Sequence, residues 1–236
     1  MGNGVSGKKE EHPAAGHRQR LKEKFVKAGA EAFHDYELIE LLLTYAIPRR
    51  DVKPASKELI RTFKGIRGVF DASIDELKAV KGVGENAAVL FKLIKDTIGV
   101  YLLERAKSVD VVRSAADLVK YLDSVLSGER VEKFLAVYLN SKNEILAVET
   151  LHEGTIDQTV VYPRKAIEGA FRHNARSVIF VHNHPSGDPT PSVRDKDLTK
   201  NLLSAAESVD IIVHDHIIIG KKGFVSGREL GWMRGK

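Results

Sequence analysis

The chain has 236 residues, of which 43% are hydrophobic and 29% are charged, and its formal net charge is +5. This composition is typical of a globular protein with room for two small domains or one large one. The sequence contains no cysteine, which excludes disulfides, thiolate zinc ligands and a cysteine nucleophile. No apolar run approaches the ~20 residues that span a bilayer, and the start of the chain lacks the apolar stretch of a signal peptide. We therefore expect a cytoplasmic protein with no membrane partner.

The first hundred residues predict a helical domain that follows a short tail. Residues 1–16 are rich in Gly, Lys and Glu, and this composition predicts a disordered tail. From residue 17 to about residue 100 the pattern is helical, as in the segment from Leu38 to Tyr45, where apolar side chains recur with helical spacing. This half carries four of the five net positive charges, which is a modest indication of nucleic acid as a partner. Residues 101–112 are predicted to contain the end of a long helix followed by a linker.

A turn of Gly82, Val83 and Gly84 lies between two helical patterns in this domain. Glycines permit a tight turn and expose backbone N–H groups at the start of the second helix, where a phosphate of DNA would be bound favourably. Alternatively, the turn simply joins two packed helices. The apolar positions around it fit both interpretations.

Residues 113–236 mix helices and strands and predict a second domain. Its predicted elements are a helix opened by a capping box at Ser114 and Asp117, strands over 134–140 and 144–151, a helix from Pro163 to about 174, a strand over 177–181, a helix over about 192–208, and strands over 211–219 and 223–225. Together with the helical first half, this order predicts the α+β class.

The stretch from His182 to Asp195, H-N-H-P-S-G-D-P-T-P-S-V-R-D, gives the clearest chemical signal. Side chains two apart on a strand point to the same face, so His182 and His184 can direct two imidazoles at one point. After a turn rich in Pro and Gly, Asp195 adds a carboxylate at the start of a helix. Two histidines and one carboxylate can hold zinc and leave a fourth position for water, as in catalytic sites. The sequence therefore predicts one zinc ion held by these three residues.

A water molecule activated by zinc also needs a group that takes its proton and delivers it to the leaving group. Glu149 and Glu153 are the candidates, because they lie on or just after the strand over 144–151, and periodicity does not choose between them. Ser192 lies three residues before Asp195, where it can donate a hydrogen bond to an oxyanion or cap the helix. The spacing leaves both roles open.

A second histidine pair, His214 and His216, is not followed by a turn, a serine and an acid. We interpret these histidines as structural residues. Because metal-bound histidines generally need a hydrogen-bond partner, Asp215 or His216 could orient a ligand imidazole.

These motifs resemble those of known families. The spacing of His182, His184, Ser192 and Asp195 is that of the JAMM (MPN+) metalloprotease motif. The full string resembles the RadC family more narrowly, as do three further segments: Glu-Gly-Thr-Ile-Asp at 153–157, Tyr-Pro-Arg-Lys at 162–165 and Asp-His-Ile-Ile-Ile-Gly at 215–220. The segment from Leu77 to Leu90 is similar to that family's helix-hairpin-helix, so the resemblance covers nearly all of the chain except the tail.

The resemblance implies a cytidine-deaminase-like α/β/α fold for residues 113–236. It also implies zinc on the two histidines and Asp195, an oxyanion-stabilising role for Ser192, and Glu149 as the catalytic glutamate. Glu149 is favoured over Glu153 because it lies five residues before the pair Gly154-Thr155.

Three functional hypotheses follow. The first is a zinc-dependent hydrolase of the JAMM type that cleaves a peptide or isopeptide bond of an unknown protein substrate and is associated with DNA through its helical domain. The second is a DNA-binding repair or recombination factor whose metal site is structural or vestigial. The third is a metal-dependent nuclease, which a single zinc ion supports less well because phosphodiester cleavage commonly uses two metals.

Overall fold

A computed structural model describes residues 13–113, 115–154 and 161–233 of the chain. It forms two compact units, divided between Ile94 and Lys95. Of the tail predicted over residues 1–16, residues 1–12 lie outside the described part, and Pro13 begins the first helix. None of the described helices is both long enough and apolar enough to cross a membrane.

The first unit is helical. The helices of this region are α1 (Pro13–Ala28), α2 (Asp35–Ala46), α3 (Lys53–Phe63), α4 (Ile66–Asp71), α5 (Ile74–Ala79) and α6 (Glu85–Lys107), which runs past the division into the second unit. Their apolar faces enclose a core that includes Ile39, Leu59 and Phe91. Helix α5 begins at a capping box, because the Ser73 hydroxyl accepts from the Glu76 N–H and the Glu76 carboxylate accepts from the Ser73 N–H.

The second unit is built around a five-stranded sheet with the strand order β2-β1-β3-β4-β5. Its elements are α7 (Ala116–Leu126), β1 (Lys133–Leu139), β2 (Ile145–Glu153), α8 (Pro163–Arg172), β3 (Ser177–Asn183), α9 (Val193–Glu207), β4 (Ile212–Gly220) and β5 (Gly223–Ser226). Strands β3 and β4 are parallel, and the other neighbouring pairs are antiparallel. The α+β class predicted from the sequence is confirmed.

Helices cover both faces of this sheet. Alternate residues of a strand point to opposite faces, so Leu135 and Val137 of β1 pack with α7 in one core. Phe134 and Ala136 point the other way and pack with α8 and α9 in a second core. The second unit therefore has three layers, with the sheet between helices. His182 is two residues after Phe180, which belongs to the second core, and thus faces α9.

Strand register decides which chain segments meet at the end of β3. In the antiparallel ladder between β1 and β3, Phe134 is opposite His182. The residues that precede β1 therefore lie beside the residues that follow His182. In the parallel ladder between β3 and β4, Ile218 is opposite His182 and His216 is opposite Phe180. His216 of β4 therefore lies close to His182, at the same end of the sheet.

Candidate metal centre

Four side chains converge where β3 ends. One possible ligand atom from each of Glu132, His182, His184 and Asp195 lies within 4.8 Å of the others. The two histidine Nε2 atoms are 3.0 Å apart, and they lie 3.3 Å and 3.5 Å from the two carboxylate oxygens of Asp195. Zinc–nitrogen bonds of ordinary length place tetrahedral ligands about 3.3 Å apart. The donor atoms therefore have the chemistry and the spacing that a zinc ion requires.

Two structural elements position these ligands. His182 lies in β3 and is fully buried, whereas His184 follows the strand and is half-buried. Asp195 lies in the first turn of α9 and is 4% exposed. The segment between His184 and Asp195 turns the chain back, so that the helix start faces the strand end. The structure thus brings together all three metal ligands predicted from the sequence.

Ser192 caps helix α9. Its hydroxyl accepts a hydrogen bond from the Asp195 N–H at 3.1 Å, and its own N–H donates to Asp195 Oδ2 at 2.6 Å. The two residues form a reciprocal capping box. One oxygen of Asp195 is therefore held by the backbone while the carboxylate faces both histidines. Of the two roles that the spacing left open for Ser192, the structure contains the cap.

Hydrogen bonding sets the proton position of His184. Its Nδ1 lies 2.8 Å from the carbonyl oxygen of Asp188, and a carbonyl can only accept. Nδ1 must therefore carry the proton, and in a neutral imidazole this leaves the lone pair on Nε2, the atom that faces His182 and Asp195. A metal ligand needs this lone pair.

The electrostatics of the cluster favour a cation. Burial lowers the pKa of His182, although its contact with Asp195 acts in the opposite direction. Burial alone would raise the pKa of Asp195, but hydrogen bonds with His182 and His184 outweigh it and lower the pKa overall. The pKa of His184 is raised, mainly by its hydrogen bond with Asp195. The cluster thus combines an ionised carboxylate with surroundings that stabilise a positive charge beside it.

Glu132 was not identified as a site residue from the sequence. Its Oε1 lies 3.7 Å from His182 Nε2, and it precedes β1 by one residue. Asn183, 1% exposed, holds this segment from both sides, because its Oδ1 accepts from the Lys133 N–H at 2.8 Å and its Nδ2 donates to the Val131 carbonyl at 3.1 Å. The middle residue of the His-Asn-His sequence therefore positions the carboxylate that faces the histidines.

Glu149, predicted as the catalytic glutamate, is not part of the convergent group found among the described residues. It lies on β2, opposite Ala136, and its Oε1 accepts hydrogen bonds from Arg172 at 2.9 Å and from His173 at 2.7 Å. It therefore joins the edge of the sheet to the end of α8. The other candidate, Glu153, is exposed, and its carboxylate is 3.6 Å from the ammonium group of the half-buried Lys133.

In the second His-x-His segment, His216 and Asp215 have different contacts. His216 is fully buried, and its Nε2 is 2.8 Å from His182 Nδ1. Asp215 is used elsewhere, since it accepts from the Ser226 hydroxyl and from the N–H groups of His216 and Arg228. Of the two residues considered as partners of a ligand imidazole, the structure therefore selects His216.

The predicted Gly82-Val83-Gly84 turn connects α5 and α6 in the first unit. Val83 is buried in the helical core, whereas both glycines are exposed. Gly82 has a φ of 92°, a left-handed conformation that favours glycine. The turn therefore joins two packed helices and also leaves its backbone accessible.

The fold and the converging side chains are those of a JAB domain with a site that could bind a metal ion. The model of the RadC-like JAB domain matches residues 112–232, and the model of the UPF0758 N-terminal region matches residues 15–89. The chain belongs to the RadC-like JAB domain family, in agreement with the resemblance noted in the sequence.

Two relatives match nearly the whole chain. A UPF0758 protein of Fusobacterium nucleatum is 39% identical over 223 residues, which cover 92% of this chain and 96% of the relative. A UPF0758 protein of Ruegeria pomeroyi is 41% identical over 217 residues, with coverages of 92% and 97%. Neither name states an activity.

Proposed function

We propose that this protein is a zinc-dependent hydrolase of the JAMM type that cleaves a peptide or isopeptide bond. The observation that carries the proposal is the convergence of His182, His184 and Asp195 at ligand spacing, with the carboxylate of Glu132 facing the same point. A structural zinc site is usually closed by four protein ligands, whereas a catalytic site has three protein ligands and a fourth position for water. The experiment is to compare the peptides that accumulate in cells expressing wild type and Glu132→Gln.

Each side chain has a role in this proposal. His182, His184 and Asp195 would hold the metal, and zinc bound there would supply Lewis-acid activation of water and polarisation of a carbonyl group. Glu132 would accept a proton from the attacking water and transfer it to the leaving nitrogen, as a general base and then a general acid. We assign this role to Glu132 instead of Glu149, because Glu132 Oε1 lies 3.7 Å from His182 Nε2, whereas Glu149 contacts Arg172 outside the convergent group of the described residues.

We propose that the Ser192 hydroxyl also donates a hydrogen bond to the developing oxyanion. Its oxygen accepts from the N–H of Asp195, a proposed metal ligand, and the residue is exposed. A hydroxyl can accept one hydrogen bond and still donate its own proton. The cap and the oxyanion contact are thus compatible.

Replacing Ser192 separates the two roles. Ser192→Gly removes the hydroxyl but lowers helix stability by only a few tenths of a kcal/mol, whereas Ser192→Ala lowers it by about 1 kcal/mol. If the hydroxyl stabilises an oxyanion, both variants lose about 10²–10³-fold in turnover with zinc retained. Urea denaturation and peptide-release rates measure the two effects. Ser73→Ala, which removes the same type of cap from α5, is the matched control and should lower stability without affecting turnover. Normal turnover in Ser192→Gly would contradict the oxyanion role.

A second proposal concerns the helical unit, which we propose binds duplex DNA. Its support is the exposed backbone of Gly82 and Gly84 at the start of the 23-residue helix α6, with exposed Lys78 and Lys81 nearby. Helix N-termini and lysines both bind phosphate groups. Glu85 in the first turn of α6 opposes this attraction.

Reversing one charge tests the DNA proposal. Lys81→Glu should weaken binding to a fluorescent DNA duplex whatever the DNA sequence. It should also reduce the slope of the logarithm of the binding constant against the logarithm of the salt concentration by about one. Fluorescence anisotropy over a range of salt concentrations measures both quantities. Lys142→Glu, at an exposed turn of the second unit, should leave both unchanged. Equal binding by the wild type and Lys81→Glu would argue against the hairpin as the contact.

A further inference from the structure

Three consecutive hydrogen bonds connect one proposed metal ligand to the backbone of another. His182 Nδ1 is 2.8 Å from His216 Nε2, and His216 Nδ1 is 2.6 Å from the Thr199 hydroxyl oxygen. The same hydroxyl donates to the carbonyl of Asp195 at 2.6 Å. His182, His216 and Thr199 are all fully buried. Neither His216 nor Thr199 belongs to the motif that holds the metal.

Counting protons gives this chain of hydrogen bonds a single direction. The carbonyl of Asp195 can only accept, so the one hydroxyl proton of Thr199 is directed to it. The Thr199 oxygen must then accept from His216, which places a proton on His216 Nδ1. In a neutral imidazole this leaves a lone pair on Nε2, which accepts from His182 Nδ1. When His182 is neutral, as a metal ligand must be, its own lone pair is consequently on Nε2, the atom that faces Asp195 and His184.

Aromatic rings border both buried imidazoles. Phe134 stacks on His182 with an angle of 14° between the rings and a centroid distance of 5.7 Å. It also contacts the edge of His216, as does Trp232. Aromatic rings around the imidazoles restrict their rotation and offer them no strong acceptor, so the order of the hydrogen bonds depends on Thr199.

We propose that Thr199 and His216 are positioning residues that keep His182 in the tautomer with a free lone pair on Nε2. The inference rests on the proposed metal centre and extends it, because it assigns metal affinity to two residues that do not touch the ion. It also explains a threonine in the middle of α9. Valine has nearly the same shape and is equally buried, but it cannot accept a proton from His216.

Zinc affinity is the first test. Competition with a fluorescent chelator at pH 7.5 should show that Thr199→Val binds zinc about 10–100-fold more weakly than wild type, the usual effect of removing a partner of a ligand histidine. Thr199→Ser keeps the hydroxyl and should retain wild-type affinity. Thr44→Val in α2 also removes a hydroxyl that donates to a helix carbonyl, and this control should bind zinc normally.

The tautomers themselves are the second readout, and they require no metal. Long-range ¹H–¹⁵N NMR spectra of the metal-free protein should show His216 protonated at Nδ1 and unprotonated at Nε2, and His182 protonated at Nδ1. In Thr199→Val the His216 signals should lose this pattern. If Thr199→Val does not fold, the wild-type spectra and Thr199→Ser still test the inference.

The outcomes distinguish this inference from the proposed function. A wild-type protein that does not bind zinc would overturn the proposed metal centre. Wild-type protein that binds zinc, together with a folded Thr199→Val of equal affinity, would overturn the positioning role alone. Protonation of His216 at Nε2 in the metal-free protein would also overturn it.

Discussion

Glu132→Gln is expected to abolish hydrolysis while the bound zinc remains in place. The amide has nearly the same shape as the carboxylate but cannot accept a proton from water, and losing a general base lowers turnover by about 10²–10⁴-fold. Zinc should be retained because its three proposed ligands, His182, His184 and Asp195, are unchanged. Quantitative mass spectrometry of newly formed peptide termini measures the effect in cells that express each variant.

Glu149→Gln is the matched control for this substitution. It makes the same chemical change at the residue that the family resemblance implied as the base. In the structure, the Glu149 carboxylate contacts Arg172 and His173. The substitution should lower stability through those contacts while leaving the pattern of newly formed termini unchanged. The assignment of the base would have to be reversed if Glu149→Gln lost the cleavage products and Glu132→Gln kept them.

His184→Ala is expected to lower the zinc content from about one ion per chain to less than a tenth of that value. This imidazole supplies one of the three proposed ligands, and the remaining His182 and Asp195 cannot complete a stable site. Elemental analysis of the purified protein by mass spectrometry gives the ratio. His184 is the better choice than His182 for this test, because it is half-buried and its removal disturbs the core less.

His214→Ala controls for loss of a histidine as such. His214 belongs to the second His-x-His pair and lies on β4, outside the convergent group. It should keep its zinc. A wild-type protein purified free of metal from zinc-containing buffer, or a His184→Ala variant with full zinc content, would contradict the proposed site.

The sequence predicts much of the fold because its signals are local. Pro163 begins α8, Ser192 caps α9, and the two predicted strands before Pro163 are β1 and β2. Each of these predictions depends on residues within one or two turns of a helix or on the alternation within one strand. The three metal ligands likewise lie within fourteen residues of one another, so their spacing could be read directly.

Glu132 could not be found in this way because its position depends on which strands are neighbours. It lies fifty residues before His182 in the sequence. Alternation of apolar residues assigns the faces of a strand but contains no information about the order of strands in the sheet. Knowledge that β1 runs antiparallel to β3, with Phe134 opposite His182, would have placed Glu132 at the cluster and Glu149 away from it.

The register between β1 and β3 has a practical consequence for anyone who prepares this protein. A slip of one residue in the pairing reverses the faces of a whole strand. It would turn His182 away from α9 and place Glu132 beside a residue other than its native neighbour. Such a molecule could still be compact and of full length, but it could not assemble the three ligands. The number of zinc ions bound per chain would therefore measure the fraction of molecules with the correct strand register, which purity and molecular size do not report.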